Sequence, residues 1–183
     1  MMTMSSSKRT TLCAVCIALC YALPVAFHSV GLGSTLSPMH IPVLLCGLVC
    51  GSGAGFLCGL IGPVLSSLLS GMPPMLMLVR MIPELCIYGM VAGFAMKCLH
   101  TGSSAKDVYI SMIVAMVAGR IVGGIATAVF YTVTSGIYSM GLWFASYFIE
   151  SVPGIAAHLV LVPVLVFSLQ KARLVPARYG ASD

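Results

Sequence analysis

The sequence has few charged residues. Only 7% of its 183 residues are charged, with nine lysines and arginines and four acids, whereas 60% are hydrophobic. A soluble domain has about a quarter charged residues, so this chain lacks the residues that a water-facing surface needs. Asparagine is absent, which excludes an N-glycosylation sequon. With a mean hydropathy of +1.09, the chain is predicted to lie in a lipid bilayer, and nothing in its charge pattern indicates a nucleic-acid partner.

Motifs of several enzyme classes are also missing. The chain has no HExxH zinc-protease motif and no GxxxxGK[ST] nucleotide-binding loop. Its two aspartates, Asp107 and Asp183, lie outside the apolar runs, whereas a membrane aspartyl protease needs two within its spans. We therefore predict that the protein is not an enzyme and does not hydrolyse ATP itself.

The eight cysteines lie almost entirely inside apolar runs. The first two form a CxxC, but no second pair or histidine cluster follows at metal-ligand spacing. We interpret them as small, polarizable residues that suit helix packing, and we predict neither a metal site nor another cofactor. The cysteines are Cys13, Cys16, Cys20, Cys46, Cys50, Cys58, Cys86 and Cys98.

Six apolar segments predict an all-α integral membrane protein with six transmembrane helices. The second and third are short and are separated by the glycine-rich stretch "GLVCGSGAG". Two short spans and one broken or re-entrant hairpin are both compatible with this pattern. The segments run from about Thr10 to Val30, Met39 to Val49, Gly55 to Leu69, Met75 to Leu99, Val108 to Val133 and Leu142 to Leu169.

The flanking lysines and arginines predict the orientation. With six spans, all seven fall on one side, and the three loops on the other side have none. Cytoplasmic loops are enriched in these residues, so both termini are predicted to be cytoplasmic. The expected organisation is a cytoplasmic segment 1–9, a six-helix substrate-binding domain 10–170 and a basic cytoplasmic tail 171–183. The flanking residues are Lys8, Arg9, Lys97, Lys106, Lys171, Arg173 and Arg178.

Four charged residues lie within the predicted spans: Arg80, Glu84, Arg120 and Glu150. A charge at membrane depth is costly and usually faces a partner or a water-filled cavity. Counting about 1.5 Å per residue, the four lie roughly 8 to 18 Å below the outer helix ends. Arg80 with Glu84, and Arg120 with Glu150, are compatible with structural ion pairs. They are equally compatible with a cavity that opens outward.

Two histidines accompany these charges. His40 lies in "LSPMHIPVLLCG", between two prolines and at the start of the second helix, where we predict a position close to the outer surface. It is compatible with a capping role or with a hydrogen bond to a polar substrate. His158 lies deeper, in the sixth helix, and is interpreted as an interhelical hydrogen-bonding residue.

Helix one carries a stripe of small residues. Ala14, Ala18 and Ala22 recur every four residues in "CAVCIALCYALP". Another helix can approach such a stripe closely. The residues alone do not distinguish packing within this chain from packing against a partner.

Four stretches together resemble the substrate-binding S components of energy-coupling factor transporters, which take up vitamins in bacteria. These are "SPMHIPVLLCGLVCG", "GLIGPVLSSLLSGMPP", "RMIPELCIYGMVAGF" and "ESVPGIAAHLVLVPVLVF". The resemblance implies a bacterial cell-membrane protein with six helices. It also implies that the Ala14, Ala18 and Ala22 stripe docks on a membrane scaffold subunit, the T component, and that two separate ATPases drive the cycle.

By the same resemblance, substrate binds near the outer surface under a lid, here about His28 to Pro38. Ser70 to Pro74 is expected to form a second wall, and helices four to six line the pocket. The expected substrate-binding residues are His40, Arg80, Glu84, Arg120, Tyr147 and Glu150. The lone tryptophan, Trp143, is interpreted as an anchor at the membrane interface.

The resemblance also indicates a substrate. The motif set is most similar to the pantothenate-type subgroup, and pantothenate is a small anion whose carboxylate suits an arginine. A self-contained secondary transporter or channel for a small polar solute is the alternative. The two differ in dependence, because an S component binds alone but needs its partners to transport.

Overall fold

The computed structural model describes residues 4–29, 31, 37–134 and 152–176, and this part of the chain is helical. Where they are described, the predicted segments are confirmed as helices, and the bounds of the first five agree within four residues. The sixth predicted segment began at Leu142, which lies outside the described residues. The helices are α1 (Ser6–Ser29), α2 (His40–Cys50), α3 (Ser52–Ser70), α4 (Met75–Cys98), α5 (Ser104–Thr134) and α6 (Val152–Lys171).

Five of these helices, all except α2, are long and apolar enough to cross a membrane. The helix α2 has 11 residues, about 16 Å of length, which is half of a hydrocarbon core of about 30 Å. It is separated from α3 by Gly51 alone, whose φ of 92° favours glycine. The predicted glycine-rich break is therefore confirmed, and α2 does not span by itself.

The helices α1 and α3 both begin at the same end of the bundle, whereas α4 runs opposite to α3 and α5 runs opposite to α4. The two ends of the bundle differ chemically. We call one the basic end, because the lysines and arginines that flank the helices gather there, and the other the uncharged end. The start of α1 and the α2–α3 joint share the basic end, since Arg9 lies beside Gly51. Assignment of the basic end to the cytoplasm stays a prediction. Its described residues are Lys8, Arg9, Lys97, Lys106, Lys171 and Arg173.

The short helix α2 lies at the centre of the bundle. It packs against each of the other five helices, and all its residues except Val49 are buried. A helix that is apolar on every side is expected to be buried on every side, which explains why this segment occupies the centre.

Glycines bring α2, α3 and α4 into backbone contact. Gly55 of α3 and Gly89 of α4 face each other, and a Cβ atom on either would collide with the carbonyl of the other. Gly47 of α2 meets the same Gly89 carbonyl, and Gly93 contacts the α2–α3 joint. Small residues four apart permit such close packing of membrane helices. We call this contact the glycine seam.

The start of α2 lies well inside the bundle. The Cys20 thiol of α1 is 4.0 Å from the carbonyl oxygen of Met39, so His40 is level with the middle of α1. Cys20 precedes the end of α1 at Ser29 by nine residues, which is about 14 Å. His40 is therefore deeper in the bundle than predicted from the sequence, because α2 begins level with the middle of α1 and not with its end.

Candidate binding site

Five polar side chains from four helices meet in the buried interior. We call them the polar cluster. Each is at most 8% exposed, although burial of such groups is costly unless they have partners. They are His40 from α2, Glu84 and Tyr88 from α4, Arg120 from α5 and His158 from α6.

His40 is the hub of the polar cluster. Its Nε2 lies 3.8 Å from Oε1 of Glu84. Its ring stacks on His158 at a centroid distance of 5.4 Å and meets Tyr88 edge-on at 5.1 Å. One imidazole therefore contacts both α4 and α6, which closes the cluster across the centre of the bundle.

Both histidines also reach the carbonyl of Ser37, just before α2. His40 Nδ1 lies 3.1 Å from this oxygen and His158 Nε2 lies 3.3 Å from it. The backbone N–H of His40 donates to the same oxygen at 3.1 Å. Ser37 has a positive φ of 43°, which is uncommon for a residue with a side chain. Two imidazoles thus hold an unusual backbone conformation at the end of the α1–α2 connection.

On the α4 side of the polar cluster, Tyr88 connects an acid, Glu84, with a cation, Arg120. Tyr88 lies close enough to both Glu84 and Arg120 for its side chain to interact with each. Space for them comes from α5, where a Cβ on Gly123 would lie 3.0 Å from the Glu84 carboxylate and one on Gly119 would lie 3.1 Å from the Tyr88 ring. Glycine at these positions makes room for polar side chains on the facing helix.

Arg80 lies apart from this arrangement. Its guanidinium carbon is 5.4 Å from the centroid of the Tyr131 ring, a cation–π contact. Between the described side chains of Arg80 and Glu84 there is no ion pair, and the ionic contact of Glu84 is with His40. The interpretation of Arg80 and Glu84 as a structural pair is therefore wrong in this structure. The buried Arg80 Nε has no hydrogen-bond partner there.

Three predicted residues lie outside the described part of the chain: Tyr147, Glu150 and Trp143. The predicted Arg120–Glu150 contact and most of the predicted lid also lie outside the described residues. The predicted second wall, Ser70 to Pro74, lies within them. Ser66 and Ser67 of α3 donate hydrogen bonds to the carbonyls of Met72 and Pro73, at 2.8 and 2.9 Å, so serine hydroxyls fix this turn at the uncharged end.

The opposite face of α2 carries a second group, which we call the thiol cluster. Cys20 and Cys58 approach to 3.9 Å between their sulfur atoms, and the Cys46 thiol interacts with those of Cys16, Cys50 and Cys58. Within the described residues no group of histidine, cysteine or acidic side chains has a metal-binding arrangement. The thiols fill the space between α1, α2 and α3, as the packing interpretation predicted. The members are Cys13, Cys16, Cys20, Cys46, Cys50 and Cys58.

The alanine stripe of α1 faces away from this cluster. Ala14, Ala18 and Ala22 are all exposed, whereas Cys16 and Cys20 of the same helix are buried. The structure thereby removes one alternative, packing of the stripe within the described part of this chain. The stripe is open to lipid or to another protein.

Sequence reasoning found four of the site's described residues and missed Tyr88. It named His40, Glu84, Arg120 and His158, although it gave His158 only a packing role. Tyr88 follows Glu84 by one helical turn, so the two share a face of α4, and this spacing was the available signal. The polar cluster combines a cation, an acid, two imidazoles and a phenol in a buried position. Such groups can orient a small polar molecule.

Comparison with known proteins identifies a family but no individual relative. No curated protein and no solved structure matches the chain. The model of one family, described as the substrate-specific component of ECF (energy-coupling factor) transporters, matches residues 8–175, nearly the whole chain. The protein is thus a membrane-embedded transporter component and not a member of an enzyme family: it belongs to the substrate-specific components of energy-coupling factor transporters.

Proposed function

We propose that this chain captures a small anionic vitamin or related micronutrient, with pantothenate as the first candidate, and delivers it through a T component and two ATPases. The observation that carries the proposal is the polar cluster, because it places Arg120 and two imidazoles in a buried site. Interior charge that only stabilised the bundle would be replaced at little cost by apolar residues.

The chemistry of the cluster favours a carboxylate accompanied by hydroxyl or amide groups. Arg120 is permanently charged and 7% exposed, and an arginine in a dry site binds a carboxylate more strongly than one in water does. His40, Tyr88 and Glu84 provide donors and acceptors for the neutral polar groups. Tyr147 and Glu150, which precede α6 in the sequence, stay in the proposal as further contacts.

The partner surface in this proposal is the alanine stripe of α1. Its residues are exposed, and small residues four apart suit the close approach of a partner helix. Ala18→Leu is the variant that tests this. It should leave ligand binding intact and abolish co-purification with the T component, whereas Val160→Leu, at an exposed position of α6, should leave both intact.

Ligand binding is tested with the purified chain in detergent. A panel of vitamins that includes pantothenate is screened by thermal stabilisation, where a ligand at 100 times its Kd adds about 2.7 kcal/mol. We expect one anionic member to raise the Tm of the wild type and to have no effect on Arg120→Ala. Stabilisation by no member of the panel, with the protein folded, would contradict the proposed substrate class.

The alternative, a self-contained secondary transporter or channel, is tested by reconstitution. Proteoliposomes that contain this chain alone should bind the stabilising vitamin without accumulating it. Addition of the T component, the ATPases and ATP should start uptake. Uptake by the chain alone would favour the alternative.

A further inference from the structure

The contacts of His40 determine which of its ring nitrogens carries hydrogen. Nδ1 lies 3.1 Å from the Ser37 carbonyl oxygen. A carbonyl oxygen only accepts hydrogen bonds, so Nδ1 must be the donor. The neutral ring then has its lone pair on Nε2, and Nε2 is the nitrogen that gains or loses a proton.

Nε2 points toward an acid rather than toward a donor. It is 3.8 Å from Oε1 of Glu84, within ion-pair range but longer than a hydrogen bond. A neutral His40 therefore turns a lone pair toward a carboxylate oxygen, an arrangement without attraction. A proton on Nε2 converts the same geometry into an imidazolium–carboxylate pair.

We propose that binding of an anionic substrate in the polar cluster is coupled to uptake of one proton from solvent by Nε2 of His40. The proposal rests on the proposed function, because it needs an anion to bind there. The balance is simple: the empty site, the anion and one proton give the occupied site with His40 as imidazolium. An added anion near His40 stabilises the imidazolium, and the imidazolium in turn stabilises the anion.

The surroundings of His40 contribute the other charges that set this balance. The helix α4 brings Glu84 and Tyr88, α5 brings Arg120, and α6 brings His158, stacked on the His40 ring. The Cys20 thiol of α1 reaches the Met39 carbonyl just before α2, and it also contacts the Cys58 thiol of α3. Arg120 has hydrogen-bond donors only, so the proposal assigns the added proton to Nε2 of His40.

The coupling has a measurable sign. If one proton enters with the ligand, the Kd for the anion increases about tenfold per pH unit once the pH exceeds the titration of the empty site. The affinity should thus be higher at acidic pH and fall as the pH rises. A neutral ligand of the same shape should show no such slope.

The first experiment needs no ligand. Histidine labelled with ¹⁵N in the full chain, reconstituted in nanodiscs, is followed by NMR from about pH 5 to about pH 8.5, across the imidazole range. The signals of His40 are those lost in His40→Gln. We expect the high-pH form to carry hydrogen on Nδ1 and the titration to occur at Nε2. A neutral form with hydrogen on Nε2, or a ring that is already an imidazolium throughout this range, would overturn the proposal.

The second experiment measures the proton directly. Calorimetric titration with pantothenate in two buffers of different ionisation enthalpy counts the protons taken up on binding. We expect uptake approaching one proton for the wild type and for His100→Gln, whose imidazole is exposed beyond the end of α4. His40→Gln should bind without uptake. Binding by the wild type with no buffer dependence, or uptake that persists in His40→Gln, would refute the coupling.

The NMR and calorimetric experiments distinguish a failure of the substrate proposal from a failure of the proton coupling. If pantothenate fails to bind, the substrate proposal fails, and the NMR titration alone decides whether His40 has the predicted tautomer and titrates. If His40→Gln does not fold, the wild-type calorimetry still decides the proton count. Glu84→Gln then replaces it as the variant, because the loss of the facing carboxylate should change the uptake.

Discussion

The face of α2 toward α4, α5 and α6 carries the polar cluster, whereas the face toward α1 and α3 carries the thiol cluster. Both faces are buried to a similar extent, so water exclusion does not distinguish them. They differ in what burial costs. A thiol is a small hydrophobic group that loses little on leaving water, but a buried arginine or glutamate loses several kcal/mol that its partners must offset.

This difference is the reason why the proposed binding function is assigned to the polar cluster and not to the thiol cluster. Apolar groups of similar volume would fill the space of the polar cluster with equal or greater stability, so the retention of charge there calls for another reason. The thiol cluster needs none. The predictions below either remove this contrast or make it sharper.

The largest effect is expected for Arg120→Ala. Loss of the buried cation should weaken binding of the anionic vitamin by about 2–5 kcal/mol, because the ligand carboxylate would be left buried without its partner. Calorimetric Kd values measure the change, and size-exclusion chromatography checks that the variant is folded. Equal affinity of Arg120→Ala and the wild type would show that the polar cluster is only structural.

The next largest effect is expected in the glycine seam, where α2, α3 and α4 are in backbone contact. In Gly55→Ala, the new Cβ would collide with the backbone of Gly89. The helices must then separate, at an expected cost of about 1–3 kcal/mol, typical of overpacking. Thermal unfolding in detergent measures it. Gly53→Ala is the matched control, because a Cβ there has nothing within 4 Å. Similar melting temperatures for the two variants would contradict the close contact.

A smaller effect is expected in the thiol cluster. Cys58→Ala removes a fully buried sulfur atom and should lower the free energy of unfolding by about 1 kcal/mol, since one heavy atom's worth of packing is lost. Ligand affinity should not change. Cys98→Ala, at the exposed end of α4, is the control and should leave stability unchanged. A large loss of affinity in Cys58→Ala would break the contrast between the two faces.

The smallest effect tests whether Arg80 belongs with the polar cluster. Tyr131→Leu removes the ring under the guanidinium, and Tyr131→Phe keeps it. The difference between the two variants should be about 0.5–1 kcal/mol of stability, the value of a partly exposed cation–π contact, with little change in Kd. If Tyr131→Leu instead weakens ligand binding as much as Arg120→Ala does, Arg80 is part of the site.

The helices and the two ends of the bundle could be predicted from the sequence, because apolar length and the placement of lysine and arginine depend on local composition. The depth of His40 could not. It depends on the level at which α2 packs against α1, which hydrophobic periodicity does not determine. The choice between Arg80 and His40 as the partner of Glu84 is a further tertiary effect, since a spacing of four permits a pair without requiring it.

Part of the glycine seam could also be predicted from the spacing of glycines in the sequence. Gly47, Gly51, Gly55 and Gly59 recur every four residues, and Gly89 and Gly93 repeat the spacing on α4. From the sequence, the stretch from Gly47 to Gly55 was interpreted as a glycine-rich break between two helical segments. Gly51 does break the helix, whereas Gly47, Gly55 and Gly59 serve close packing. One spacing has two uses here, and only the fold separates them.

The shortness of α2 has a mechanical consequence. A single-residue joint ties it to α3, and its backbone lies directly on that of α4, so it is a stiff rod with little freedom to bend. Its two ends lie in different surroundings. His40 belongs to the polar cluster, and Gly51 lies beside Arg9 at the basic end. A displacement of His40 along the axis of α2 would therefore move Gly51, about 16 Å away at the basic end.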